Sequence, residues 1–323
     1  IYNIVASTDE ATVVAEYAAE YNARSEKYQS EAELEQEFIC LLTSQGYEYL
    51  PIHNEAALIA NLRKQLELLN DFTFTDNEWN RFFSSCIANT NEDVVEKTKK
   101  IQDDYIQILN RDDSSDGKIR GTTKNIYLLD KKNIHNNRLQ IINQYEELGG
   151  KNKTRYDVTI LVNGLPLVHV ELKRRGIAIR EAFNQINRYQ RESFWASSGL
   201  FEYVQIFVIS NGTHTKYYSN TTRDAHIKEQ SSSERQRSKK KSNSFEFTSF
   251  WAAANNKTIP DLVDFTRTFF AKHTILNILI RYCVFTSDKM LLVMRPYQIA
   301  AAERILSRIN ISNNYKKAGT KDA

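Results

Sequence analysis

Residues 155–173 read Arg-Tyr-Asp-Val-Thr-Ile-Leu-Val-Asn-Gly-Leu-Pro-Leu-Val-His-Val-Glu-Leu-Lys, and no other stretch restricts the fold as tightly. Two runs rich in β-branched and apolar residues flank Asn163-Gly164, the turn signal of a β-hairpin. Strand side chains alternate between faces, so Glu171 and Lys173 emerge on one side while Val170 and Leu172 point into a core on the other. Charges carried on an otherwise apolar strand are costly unless they are paired or bind a metal. That cost marks a candidate site.

Asp157 on the first strand and Glu171 on the second can grip one hard cation such as Mg²⁺, which prefers oxygen ligands and keeps several waters. Such an ion polarises a phosphoryl oxygen and lowers the pKa of a bound water. Lys173, beside Glu171, can orient that water or stabilise charge developing on phosphate. The register matters here. A two-residue turn at Asn163-Gly164 pairs Asp157 with Val170, which puts Asp157 and Glu171 on opposite faces. Shared metal binding therefore requires an odd-length loop or a β-bulge. A Glu-x-Lys triplet arises by chance about once in a chain of this size, and its bland reading is a surface ion pair. The preceding Asp and the following helix, with Ile179, Ala182, Phe183, Ile186 and Tyr189 at helical spacing, favour the site. Gln185 and Tyr189 stand four apart on that helix and so share a face.

These residues resemble the PD-(D/E)XK nuclease superfamily: Asp157 matches its Asp, Glu171-Leu172-Lys173 its (D/E)XK, and Gln185 to Tyr189 the QxxxY element of one branch. Tyr156 replaces the usual proline. The longer string from Arg155 to Val168, with Ala182-Phe183-Asn184-Gln185-Ile186, resembles the R subunit of type I restriction enzymes, as do Ser30 to Glu35, Gln45 to Glu48 and Met294 to Ala301. The resemblance implies an α/β, restriction-endonuclease-like core, a mixed central sheet flanked by helices with a helical insertion, then the start of a RecA-like motor lobe. Its boundaries are an N-terminal arm over 1–29, a nuclease domain over 30–250 with an insertion over about 54–120, and connector helices plus a truncated motor lobe over 251–323. It also implies Mg²⁺-dependent endonucleolytic cleavage of double-stranded DNA, with Asp157, Glu171, Lys173, Gln185 and Tyr189 catalytic and Asp157 and Glu171 on the metal. Methyltransferase and specificity subunits would be partners, and ATP would drive translocation in the full-length subunit. Two competing readings are a catalytically retired clamp or assembly module and a structure-specific resolvase.

Arg295-Pro296-Tyr297-Gln298 resembles the Q motif of superfamily 2 translocases, which would make Gln298 a reader of the adenine edge. Its plain alternative is an amphipathic helix start, with Ile299, Ala302, Ile305 and Leu306 as the buried stripe. Residues 1–323 contain no G-x-x-x-x-G-K-[ST] loop. The sequence thus reads as the N-terminal portion of a larger subunit.

With 41% hydrophobic and 26% charged residues the composition is that of an ordinary globular chain. A net charge of +3 gives no argument for nucleic-acid binding, which must come from local patches. Arg174, Arg175, Arg180, Arg188 and Arg191 are the candidates for phosphate contacts, the alternative being a solvated helix face diluted by Glu181 and Glu192. Three scattered cysteines fit neither a disulfide framework nor a zinc site. With no signal peptide and no span of membrane length, the expected location is the bacterial cytoplasm.

Elsewhere, Ser30 and Glu33 form a capping box for a helix ending before Gly46, whose acidic face (Glu31, Glu33, Glu35, Glu37) is expected in solvent, with Glu35 or Glu37 weighed as an extra acid for the site. Further helices are expected over 56–70, 77–87, 93–109, 260–270 and 276–285, and strands over 125–129, 139–145, 203–209 and 215–219. The arm before Gln29 reads as irregular or a short helix, and the basic run 223–244 as a surface loop. His169 is set aside as a bystander, since Mg²⁺ prefers oxygen. Without a phosphate-cradling loop, the purified chain is expected to release no phosphate from ATP. Turnover that disappears on Gln298→Ala would contradict that reading.

Overall fold

A computed structural model describes residues 2–8, 11–17, 29–112, 122–147, 154–192, 194, 198–221, 245 and 247–317. The basic run 223–244 falls wholly outside the described residues, and the Arg191 side chain also lies outside them. The arm contains two antiparallel strands, β1 (Tyr2–Thr8) and β2 (Ala11–Tyr17), where a short helix or irregular chain was expected. Ile4-Val5 and Thr12-Val13-Val14 carry the β-branched character that favours strands.

Helix α1 (Glu31–Ser44) begins at the Ser30–Glu33 capping box and leads into the short strand β3 (Glu48–Tyr49). Next come α2 (Glu55–Asn70), α3 (Asp76–Phe82) with a π-turn over Phe83–Ile87, α4 (Val94–Gln102), and a two-stranded sheet of β4 (Ile106–Asn110) and β5 (Thr123–Tyr127). The helix expected over 93–109 therefore stops at Gln102. Asp103 and Asp104 oppose the helix dipole at that end, and Ile106 and Ile108 alternate with Gln107 in the strand pattern.

The core strands come next: β6 (Leu139–Glu147), β7 (Thr154–Val162) and β8 (Leu165–Leu172), then α5 (Ile179–Glu192), β9 (Ile206–Ser210) and β10 (Thr215–Ser219). They form one six-stranded sheet in the order β10-β9-β8-β7-β6-β3. The β8–β9 and β3–β6 pairs are parallel and the other pairs antiparallel, so the sheet is mixed. This mixed α/β architecture fits a nuclease-like fold. Helices α6 (Leu262–Phe269) and α7 (Lys272–Ile280) follow, then the hairpin of β11 (Cys283–Phe285) and β12 (Leu291–Val293), and helix α8 (Pro296–Lys317). Cys283-Val-Phe285 was expected as helix; its β-branched and aromatic residues pair as a strand instead. On α8, Ile299 is buried as expected, but Ile305 and Leu306 are 60% and 51% exposed. Glu303 takes the inner position through its contact with the Tyr282 hydroxyl. No described helix is long and apolar enough to cross a membrane.

Strand β8 is buried along its whole length, sandwiched between β7 and β9. Its hairpin with β7 closes through Asn163 (φ 51°) and Gly164 (φ 83°), the two positive-φ positions of a type I′ turn. Asn163 anchors the turn: its amide donates to Leu128 O and to Asn137 Oδ1, and its Oδ1 accepts from Arg138 N. A Cβ at Gly164 would lie 2.7 Å from the Leu62 Cα. Gly164→Ala therefore combines a left-handed residue with backbone overlap. It is expected to destabilise the fold by about 2–4 kcal/mol in urea unfolding; a loss under about 0.5 kcal/mol would mean that α2 does not press on the turn.

Candidate active site

Across the two-residue turn Val162 pairs with Leu165 and Leu161 with Pro166, the register that would separate the two acids. The next pair is Ile160 with Val168, so Leu167 is an extra residue and the ladder shifts by one. The pairs beyond are Thr159 with His169 and Val158 with Val170. Carried one residue further, the register sets Asp157 against Glu171. The Asp157 Oδ2 also accepts a hydrogen bond from Leu172 N at 2.9 Å, tying it to the strand that bears Glu171.

Glu171 is wholly enclosed, whereas Asp157 keeps a partly open edge. Burial, then the Glu171 charge, pushes the Asp157 carboxyl up to about 7. Burial likewise raises Glu171 to about 7, against the opposing pull of Lys173. Lys173 Nζ lies 3.1 Å from Glu171 Oε1 and 3.8 Å from Glu31 Oε2. Burial works against its ammonium, but the charges of Glu171 and Asp157 outweigh that and hold its pKa above the ordinary lysine value.

Helix α1 adds a third acid. Glu35 was expected in solvent with its neighbours but is buried, accepting hydrogen bonds from Asn143 Nδ2 at 2.5 Å and from the Gln144 amide. Burial, and the nearby Asp157 charge, raises its pKa. Asn143 and Gln144 are consecutive on β6 and would normally face opposite ways; Gln144, at φ 52°, turns the chain so that both reach one carboxylate. Glu37 instead accepts from Gln29 Nε2 and stands apart. The adjacent polar pair in the run Ile141-Ile-Asn-Gln-Tyr145 was the sequence signal for this irregularity.

From α5, the Gln185 amide donates to the Tyr189 hydroxyl, which donates to Arg155 O at 3.0 Å. Burial, then the Glu171 charge, raises the Tyr189 pKa, so the phenol stays protonated. The two side chains therefore act on the backbone two residues before Asp157. The arginines scatter. Arg174 is exposed, Arg175 Nη2 lies 3.9 Å from Asp261 Oδ2, and Arg180 and Arg188 lie over the rings of Phe245 and Tyr189. Gln298 sits at the start of α8, its Oε1 accepting from Arg295 N, apart from the carboxylates.

The donor set fits a hard divalent cation. Glu171 Oε2 is buried and receives no hydrogen bond, beside a second carboxylate. No group of three or more His, Cys, Asp and Glu suited to a metal occurs among the described residues. Two carboxylates with waters completing the shell are enough for Mg²⁺.

The sequence profile of the family described as "Type I restriction enzyme R protein N terminus" matches residues 28–226. The Escherichia coli protein "Type I restriction enzyme EcoprrI endonuclease subunit" is 53% identical over 289 residues, 89% of this chain and 85% of that protein. "Type I restriction enzyme SsaAORF53P endonuclease subunit" of Staphylococcus saprophyticus is 37% identical over 295 residues. "Type I restriction enzyme SauCOLORF180P endonuclease subunit" of Staphylococcus aureus strain COL is 35% identical over the same length. The chain spans only 28% of each staphylococcal protein. It belongs to the family of type I restriction enzyme R protein N-termini.

Raised folded-state pKa values mean that the native protein holds protons its unfolded chain releases. The contribution of Asp157 and Glu171 to metal-free stability is complete below about pH 4 and declines as pH rises through about 7. Asp157→Asn with Glu171→Gln should flatten that decline by about 2 kcal/mol or more in urea unfolding across the window. Parallel pH–stability curves for parent and double variant would show that the carboxylates do not share a desolvated site.

Proposed function

We propose that the chain is the nuclease portion of a type I restriction enzyme R protein, a PD-(D/E)XK module that hydrolyses phosphodiester bonds in double-stranded DNA with Mg²⁺. The observation that carries this reading is the buried Glu171 carboxylate set against Asp157 and beside Lys173, at a bulge whose effect is to bring the two acids together. The names of the relatives, which are endonuclease subunits, support the same reading. Asp157 and Glu171 would hold the ion, which when bound supplies a polarised phosphoryl oxygen and a more acidic water. Lys173, close to Glu171 Oε1, offers an ammonium to the attacking water or to the charge developing on phosphate. Gln185 and Tyr189 fix the backbone that presents Asp157. Arg174, exposed immediately after Lys173, is the nearest candidate for a phosphate contact, with Arg175, Arg180, Arg188 and Arg191 further along.

Adenine recognition by Gln298, ATP-driven translocation through a RecA-like lobe, and assembly with methyltransferase and specificity subunits belong in this proposal to the longer protein. The present chain corresponds to its N-terminal part. Supercoiled plasmid incubated with the purified chain should be nicked with Mg²⁺ and left intact with a chelator. Glu171→Ala should abolish nicking, and Lys173→Ala should slow it by on the order of a hundredfold. Cleavage by Glu171→Ala at the parental rate would overturn the assignment.

A further inference from the structure

Directly behind the two acids on the β7–β8 ladder stand Thr159 and His169, paired with each other and both buried. Thr159 Oγ1 lies 3.1 Å from His169 Nδ1. On the other side of the ring, His169 Nε2 lies 3.6 Å from Glu171 Oε2. Neither of those two atoms has a hydrogen-bond partner, although both are buried. Two orphaned polar atoms that face each other inside a sheet require an explanation.

The ring is boxed in by aromatic side chains, with Tyr156, Phe194, Tyr189 and Phe207 centred 5.6, 5.2, 6.3 and 6.4 Å away. Complete burial away from water disfavours an imidazolium, so the ring is neutral and carries one N–H. With Glu171 ionised, a proton on Nδ1 would leave the Nε2 lone pair facing the lone pairs of Glu171 Oε2, which is repulsive. If it sits on Nε2, an N–H faces a carboxylate oxygen, and Nδ1 is free to accept from the Thr159 hydroxyl. The second arrangement gives every one of these groups a partner. The separation is a few tenths of an ångström beyond hydrogen-bond length, a gap that a small shift of the carboxylate closes.

We propose that Thr159 and His169 form a positioning pair for Glu171: the Thr159 hydroxyl donates to His169 Nδ1, and the Nε2–H thereby presented fixes the orientation of the Glu171 carboxylate. Glu171 is then held between Lys173 at Oε1 and His169 at Oε2, which sets the angle at which it can meet a cation. His169 is a positioning residue and not a ligand. The role for the cation rests on the nuclease reading above; the tautomer does not.

The test uses the full chain with ¹⁵N-labelled histidine. Ring-nitrogen NMR without metal should show His169 protonated at Nε2 and bare at Nδ1. Thr159→Val, which keeps the shape and removes the hydroxyl, should yield a mixture of tautomers. It should also weaken Mg²⁺ binding, measured by calorimetry, roughly 10- to 100-fold. His169→Gln, which retains an N–H donor, should bind Mg²⁺ more tightly than His169→Leu; thermal unfolding of each variant reports whether it is folded. A proton found on Nδ1 in the parent protein overturns the proposal, as does parental Mg²⁺ affinity in folded His169→Leu. Failure of plasmid cleavage with the Nε2–H tautomer intact would instead count against the nuclease reading alone.

Discussion

Two carboxylates set side by side in the middle of a sheet, one wholly enclosed and the other nearly so, are the constraint around which this structure is arranged. Removing such groups from water costs several kcal/mol per ion unless compensating charge or hydrogen bonds are supplied. Lys173 gives one positive charge, yet Asp157 lies within electrostatic reach of both Glu171 and Glu35. The protein answers with fixed donors: Leu172 N to Asp157, Lys173 to Glu171, and two side-chain amides to Glu35. The remaining excess of negative charge is what a divalent cation would relieve. A site that is electrostatically incomplete by itself is the expected condition of a pocket built for such an ion.

Two departures from regular β geometry make the arrangement possible, and they bracket it. The extra residue Leu167 shifts β8 against β7 so that Glu171 meets Asp157. On the other flank, Gln144 adopts a positive φ opposite the same stretch of β7, which lets Asn143 and Gln144 both reach Glu35. Each costs something locally: a lost ladder pair in one case, a left-handed non-glycine residue in the other. Neither would persist in a sheet whose purpose was packing alone. The turn that feeds the bulge is secured by Asn163 and by the close approach of Gly164 to α2, so that helix helps set the register of the site.

What the sequence revealed followed from simple periodicities and from charge placed where apolar residues belong. The Asn-Gly turn, the apolar, β-branched runs of β7 and β8, the stripe of α5 and the capping box at Ser30 were all readable. The register argument also demanded an irregularity between the turn and the acids, although an odd-length loop would have met the demand as well as the bulge at Leu167. Glu35 was harder, because Glu31, Glu33, Glu35 and Glu37 share one acidic helix and only the partners on β6 decide which is drawn inward. His169 was passed over because histidine was judged as a metal ligand; a buried imidazole that donates leaves no mark in spacing. Helix ends at Gln102 and Ile280 were overrun because apolar residues beyond them continue as strands, where two periodicities overlap for a few residues.

The Gln185–Tyr189 pair shows how a motif can act without touching a reacting atom. Tyr189 packs beside Tyr156 and His169 and donates its proton to the carbonyl of Arg155, at the point where β7 begins its approach to Asp157. Gln185, one turn earlier, donates to the Tyr189 hydroxyl oxygen and so orients the phenol. The helix thereby holds the strand backbone on one side of Asp157, while Leu172 N holds its carboxylate on the other. Burial, and then the nearby Glu171 charge, keeps the Tyr189 phenol protonated, which preserves it as a donor to the carbonyl. Aromatic packing, a helix-borne hydrogen-bond relay and the shifted ladder thus converge on one requirement. The two acids must stay side by side although burial and the Glu171 charge both oppose ionisation of Asp157.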